Sequence, residues 1–292
     1  MASLTAGPAN ETCSSELAAT LPRIRIEPPR GLFELRLAEV WQYRELLYFF
    51  VWRDVKVRYK QTVIGVVWVV IQPLMTMGVF TIFFGRLARL PSQGLPYPVF
   101  YIAALVPWAY FSSALTGCTN IVVNNQHVIT KVYFPRLVLP LTAVCSPLVD
   151  FCVGLVVMIV LTLSFGIRPP ATVLLLPVLI VLAVLTALAV GLWTSALNAL
   201  YRDVTSIMPF AVQFWMIASP VAYPSSLVPQ QWRALYGLNP MVGVIDGFRW
   251  ALTGHGQSPG PTMLVSVAIV MILLMGGLIF FQRMEGTVTD RV

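Results

Sequence analysis

The chain has 292 residues, of which 58% are hydrophobic and 11% charged, with a formal net charge of +7. A soluble globular protein carries about 25% charged residues, so an ordinary water-exposed domain is excluded. The positive balance is then read by its location along the chain rather than as a sign of nucleic acid.

Residues 1–34, rich in Ser, Thr, Pro and Ala with scattered charge, are expected to be a disordered cytoplasmic tail. They contain no cleavable signal peptide pattern, since the first long apolar run starts only near Val63. Over 35–61, the apolar residues Leu37, Val40, Trp41, Leu47, Tyr48, Val51, Trp52, Val55 and Tyr59 recur at helical spacing, with Arg44 the exception. That pattern predicts an amphipathic helix in the inner membrane interface, its Trp and Tyr at headgroup depth. Its last turns carry Arg53, Lys56, Arg58 and Lys60, and the chain then has no charge until Arg86.

Windows 61–85, 90–130, 169–201, 204–232 and 250–282 contain no Asp, Glu, Lys or Arg, and 137–167 contains only Asp150. A helix needs about 20 apolar residues to cross ~30 Å of hydrocarbon. The predicted architecture is therefore an all-α polytopic membrane protein with six transmembrane helices, near 63–85, 99–123, 138–164, 172–198, 205–223 and 262–282. These spans make up a domain over 62–285, followed by a short cytoplasmic tail over 286–292. With the N-terminus inside, fourteen of the 19 Lys and Arg fall on inner segments and five on outer ones. Both termini are placed in the cytoplasm on that bias. The segment 224–258 is rich in Pro and Gly, and its apolar run is interrupted by Asp246 and Arg249. Two short re-entrant helices on the outer side suit it better than a further span, which would carry two ionisable residues at ~2.5–3.5 kcal/mol each. Asp246 and Arg249 are i, i+3 neighbours able to pair on one helix face.

Catalytic and metal motifs are missing from the sequence. There is no GxxxxGK[ST], HExxH or GxSxG. His127 and His255 have no ligand spacing, and Cys13, Cys118, Cys145 and Cys152 form no CxxC pair. Neither a metal site nor catalysis is expected. Asp150 is the one carboxylate within a well-defined span, and it is expected to face the bundle interior and find a donor, as a structural Asp hydrogen-bonded to a neighbouring helix rather than part of a proton relay. An ion-coupled carrier would show further intramembrane acids and two similar halves.

WRDVKVRYKQTVIGVVWVVIQPL (52–74), NNQHVITKVYFPRLVLPL (124–141), YRDV (201–204) and LNPMVGVIDGFRW (238–250) stand in the order and spacing of a known family. Over about residues 35–285 the chain resembles the transmembrane subunit of ATP-binding-cassette polysaccharide exporters, which move lipid-linked O-antigen, capsular glycan or teichoic acid. The resemblance implies a homodimer in the bacterial inner membrane, docked on a separate ATPase subunit that holds the ATP and Mg. No cofactor is expected in this chain. It also implies that Asn125, His127, Lys131, Tyr133, Pro135 and Arg136, with Arg202 and Asp203, are the cytoplasmic elements meeting the ATPase. Asn239, Pro240, Asp246 and Arg249 fall in the outer gate.

Pro135 is placed to end or kink a helix at the start of the third span, and Lys131 and Arg136 hold the loop inside. Aromatic rings suit the flat C–H faces of sugars, and Tyr101, Trp108 and Phe111, on one face of the second span, are the candidate channel residues. Arg53, Lys56 and Lys60 fall at i, i+3, i+7 on one stripe, a candidate entry for a diphosphate-linked lipid headgroup, whereas Arg58 lies off the stripe and is expected to matter less. The plainer role of the basic run is to fix orientation, at about 1 kcal/mol per cation near an anionic leaflet. The competing function is export of a drug or small lipid by the same ATP-driven architecture, with an ion-coupled carrier further behind.

Overall fold

A computed structural model describes residues 37–60, 65–255 and 260–291, all within the compact unit Leu35–Val292. The expectation for residues 1–34 lies outside the described residues. Every regular element described is helical. Helix α1 (Leu37–Gln42) and helix α2 (Arg44–Lys60) break at Tyr43, so the expected amphipathic helix is two pieces. Helix α3 (Gly65–Phe80) continues as a π-helical turn over Thr81–Leu87. Then follow α4 (Tyr97–Asn124), the one-turn α5 (Gln126–Ile129), α6 (Val138–Cys145) and α7 (Leu148–Ser164). A 3-10 turn at Ala171–Leu175 leads into α8 (Leu176–Leu200), and α9 covers Asp203–Ala218. After a short α10 (Arg233–Tyr236) come α11 (Pro240–Thr253) and α12 (Pro261–Arg291). Residues 286–291 continue α12 rather than forming a separate tail.

Among the described residues, five helical stretches are long and apolar enough to cross a membrane: Val67–Leu87, Tyr97–Asn124, Val138–Ser164, Ala171–Leu200 and Thr262–Met284. The chain is a multi-pass membrane protein. The fifth expected span, 205–223, is shorter than predicted, because α9 has 16 residues and stops at Ala218. Pro220 and Pro224 bracket the turn that follows, and neither supplies the N–H a continuing helix needs.

Helix α4 is the axis of the bundle. Its hydrophobic window is 78% buried, against none of the first span's, because α4 is apolar on nearly every side and packs on α6, α7, α8, α9 and α11. Small residues set the close approaches, as is usual where lipid offers no competing hydrophobic drive. A Cβ at Gly191 of α8 would sit 2.7 Å from the Cys118 sulfur of α4, so these two helices meet at backbone distance. The cysteines Cys118, Cys145 and Cys152 are free thiols.

Candidate functional site

Two constellations gather polar and charged side chains. The first lies where α2 meets α4, the loop 125–136 and the start of α7. Asn125 is buried at the end of α4, and its amide donates to the Ile121 carbonyl at 2.8 Å, closing the last turn of that helix. The chain turns once through α5 and reaches Pro135, whose carbonyl accepts from Val138 N–H at 3.0 Å as α6 begins. Pro135 thus precedes the third span, but it neither ends nor kinks a helix, because the one-turn α5 already stops at Ile129 and α6 starts only at Val138. His127 and Lys131 are exposed, Tyr133 projects beside them, Pro135 is buried and Arg136 is half-buried. The loop is therefore short and anchored at both ends, with its tip outward.

Helix α2 does the anchoring. Phe50, buried on α2, meets Phe134 edge-on at 5.9 Å between ring centroids. Arg53 lies over the Phe50 ring at 5.0 Å and donates to Asp54 at 2.9 Å and to the Asn125 side-chain oxygen at 3.2 Å. One helical face further on, Arg58 forms an ion pair with Asp150 in the first turn of α7, and the Tyr59 hydroxyl donates to the same carboxylate. Partial burial and the Asp150 carboxylate push the Tyr59 phenol up to about 12.

Asp150 finds its donors on a neighbouring helix, α2, as a structural carboxylate should, although at the side of the bundle. Arg58, off the basic stripe and so given the smaller part in headgroup entry, is the cation that pairs with it. Of the stripe Arg53, Lys56 and Lys60, Arg53 turns inward to Asn125. Lys56 instead lies over the exposed Trp52 ring at 4.2 Å, and Lys60 is exposed. The guanidiniums reach protein partners because each can donate in a fixed fork, while the lysines keep their heads outside. A cleft of about 550 Å³ opens between α2, α4 and the α6–α7 junction, with Arg53, Arg58, Ser113 and Gly117 on its walls. Asp54 and Asp150 already match its two arginines, so it is nearly neutral.

Arg202 and Asp203, exposed at the turn between α8 and α9, sit beside a polar network that sequence reasoning missed. Asn198 donates to the Thr119 carbonyl at 2.8 Å, and Thr205 bonds the side-chain oxygens of Asn198 at 2.9 Å and Asn120 at 3.0 Å. It ties the ends of α8 and α9 to α4. The sequence signal was present, since Asn and Thr are costly in hydrocarbon without partners.

The second constellation organises 224–255. Asn239 caps α11, its side-chain oxygen accepting from Met241 N–H at 3.1 Å, with Pro240 at the first helical position. The Asn-Pro pair is thus a helix-start signal. The same oxygen accepts from Trp215 Nε1 at 2.9 Å, and the Asn239 amide donates to Ser219 Oγ at 2.9 Å, fastening α11 to the end of α9. Arg249 is 2% exposed. It donates to the carbonyls of Val221 at 3.0 Å and Phe100 at 3.3 Å, and Asp246 lies 3.8 Å away as counter-ion. The predicted i, i+3 pair therefore forms. A Cβ at Gly243 would meet Ser266 of α12 at 2.7 Å, so α11 also needs glycine to seat against the last helix.

Tyr101, Trp108 and Phe111 are 1%, 5% and 0% exposed. They are packing residues of the α4 core: Tyr101 stacks on Tyr97 and meets Phe80 edge-on, and Phe111 meets Trp215 edge-on, so they present no ring face to a passing polymer. The reason is that α4 is buried on the side that carries them. Its open side holds the small and polar residues Ala109, Ser113, Thr116 and Asn120. Exposed aromatics lie on α3 and α9 instead, including Trp68, Phe83, Phe210 and Phe214.

Residues 45–253 match the model of the ABC-2 type transporter family. The chain is 32% identical over 251 residues to the O-antigen export system permease protein RfbA of Myxococcus xanthus, covering 85% of this chain and 95% of that protein. It is 27% identical over 234 residues to an O-antigen export system permease protein RfbA of Klebsiella pneumoniae, covering 80% and 89% respectively. It is 19% identical to the polysialic acid transport protein KpsM of Escherichia coli, over 80% of this chain and 91% of that one. The charged clasps, the short anchored loop and the five apolar helices described above thus sit on a chain that belongs to the ABC-2 type transporter family of membrane proteins.

Proposed function

We propose that the chain is the membrane-spanning permease of an ATP-driven exporter that moves a lipid-linked polysaccharide outward across the bacterial inner membrane. The observation that carries this reading is the near full-length similarity to O-antigen export permeases. ATP and Mg reside on a separate ATPase subunit. That subunit meets the exposed tip of the loop, at His127, Lys131 and Tyr133, and the turn at Arg202 and Asp203. Two copies of the chain form the pore. Helix α3 and the outward side of α9 (Ile207, Phe210, Phe214, Ile217) have apolar surface with no cover in one protomer, which suits a homodimer with a path between its halves.

Six spans follow if α9 crosses as a short fifth helix, since 16 residues rise about 24 Å. Both termini then face the cytoplasm and 219–255 forms a re-entrant outer gate. The exposed Trp41, Tyr48, Phe49 and Trp52 suit a membrane-surface position for α1 and α2, where Lys56 and Lys60 face anionic headgroups of membrane lipid or the lipid-linked substrate.

The test is affinity purification of the full chain from its native host, followed by depletion. An ATPase subunit should copurify, and lipid-linked glycan should accumulate on the cytoplasmic side. Depletion that left glycan export at its normal rate would refute the substrate assignment.

A further inference from the structure

Asp150 stands on the third apolar stretch, yet its partners are on the helix that precedes the first. We infer that Asp150, Arg58 and Tyr59 form a clasp that makes α2 a strut. The strut joins the loop 125–136 directly to α7 and carries motion of that loop past the break between α6 and α7. The inference rests on the reading that this loop receives the ATPase.

Three observations support it. First, α2 touches both ends of the loop, through Arg53 to Asn125 at its start and Phe50 to Phe134 at its end. A push on the loop is thereby a push on α2. Second, the helix between those contacts and the clasp is continuous. Phe50 to Tyr59 is nine helical steps, or about 13 Å of unbroken α-helix, which resists bending far better than a turn does. Third, the covalent route from loop to α7 is interrupted. Helix α6 ends at Cys145, Ser146 and Pro147 form a turn, and α7 starts at Leu148. Pro147 has no N–H to continue the ladder. The clasp closes on α7 one turn beyond that break. Without it the loop would drive α6 and leave α7 to follow through a hinge.

The chemistry of the clasp suits a lasting attachment. A carboxylate in a span costs several kcal/mol if left alone, so Asp150 has a strong preference for its two donors over release. The guanidinium and the phenol approach one carboxyl group from adjacent positions of one helix, which fixes the rotation of α2 as well as its distance. Arg58 and Tyr59 are thus positioning residues for transport, acting through α7 and not on substrate.

The experiment uses the full chain assembled with its ATPase subunit. Glycan exported per ATP hydrolysed is measured for wild type, Asp150→Asn, Arg58→Asp, Asp150→Arg and the double reversal Arg58→Asp/Asp150→Arg. Each single variant is expected to lower that ratio at least about fivefold, the low end of ordinary coupling between sites, while hydrolysis continues. The double reversal should recover most of it. Singles that keep the wild-type ratio, or a well-assembled double reversal no better than the singles, would overturn the clasp. Should the charge reversals fail to assemble, Asp150→Asn and Tyr59→Phe preserve shape and carry the same expectation.

A second readout needs no glycan. Spin labels on the exposed native Cys152 of α7 and on Thr130→Cys, in a Cys13→Ser background, report the loop-to-α7 distance with and without ATP. A strut keeps that distance constant in wild type and lets it change in Asp150→Asn. Equal change in both would sink the inference. Wild-type complex that hydrolyses ATP and moves no glycan would instead remove the export reading and leave this measurement to judge the clasp.

Discussion

The guanidinium of Arg249 lies 3.7 Å from the centre of the Phe100 ring while its Nη2 donates to the Val221 carbonyl. One side chain thereby joins α11, the start of α4 and the turn after α9. Stacking on an aromatic face and donating in the ring plane are compatible only for a planar cation, so lysine is no substitute.

Loss of Arg249 should therefore cost stability more than loss of Asp246. Arg249→Met leaves the Phe100 and Val221 carbonyls without these donors and Asp246 without its counter-ion, a cost of about 3–5 kcal/mol for breaking one side of a buried pair. Asp246→Asn leaves the arginine its ring and both carbonyls and should cost clearly less. Thermal unfolding of the purified chain in detergent orders the two. A larger loss in Asp246→Asn would mean the ion pair, not the carbonyl contacts, holds α11 in place.

The Asn239 cap makes a second, graded prediction. Asn239→Ala removes the bond to Met241 N–H, worth about 1 kcal/mol for a typical cap, and orphans Trp215 Nε1, adding about 1–3 kcal/mol if it stays buried. Asn239→Asp keeps both acceptor roles and loses donation to Ser219 Oγ and to the Ala218 carbonyl. It should unfold between wild type and alanine, and the same order is expected in export rate.

How far the sequence revealed these features depends on the range of each interaction. Uncharged runs announce the long helices because the hydrocarbon thickness sets their length. The Asp246–Arg249 pair was legible because both partners sit on one helix. The Arg58–Asp150 pair was not, since 92 positions separate its members and periodicity within α2 says nothing of what α2 packs against. The end of α9 was misplaced because Ser219–Tyr223 is apolar enough to extend a hydropathy run, while the chain geometry obeys the prolines. The aromatics of α4 were misread for a related reason. A helix whose aromatic and aliphatic residues cover most of its circumference does not declare from composition which of them are core.

That last distinction predicts opposite phenotypes for two phenylalanines. Phe111→Ala opens a void in the α4 core against Trp108 and Trp215 and should destabilise by about 3 kcal/mol. Phe214, 66% exposed on α9, should tolerate alanine within about 0.5 kcal/mol, and any effect should fall on dimerisation or transport. Unfolding curves beside export assays separate the cases. A stable Phe111→Ala that exported poorly would return Phe111 to the channel.

The loop prediction turns on Lys131 and Arg136. Alanine at both removes cations from the segment proposed to meet the ATPase. Export-coupled hydrolysis should drop while membrane insertion remains intact. Unchanged export would remove these two residues from the coupling surface.

Alkaline pH offers a reading of the clasp that needs no substitution of its acid. The folded Tyr59 phenol titrates near 12, above the ordinary value of about 10 for an unfolded tyrosine. The folded state therefore favours the neutral phenol, as expected for a hydroxyl that must donate to a carboxylate. Stability from this bond is fully present below about pH 10 and is lost as pH rises through 12. Between pH 6 and 9 wild type and Tyr59→Phe should differ by a constant amount. Above pH 10 the two unfolding temperatures should converge, because wild type then loses what the variant never had. A gap that stayed constant to pH 12 would show that the Tyr59 hydroxyl contributes nothing through Asp150.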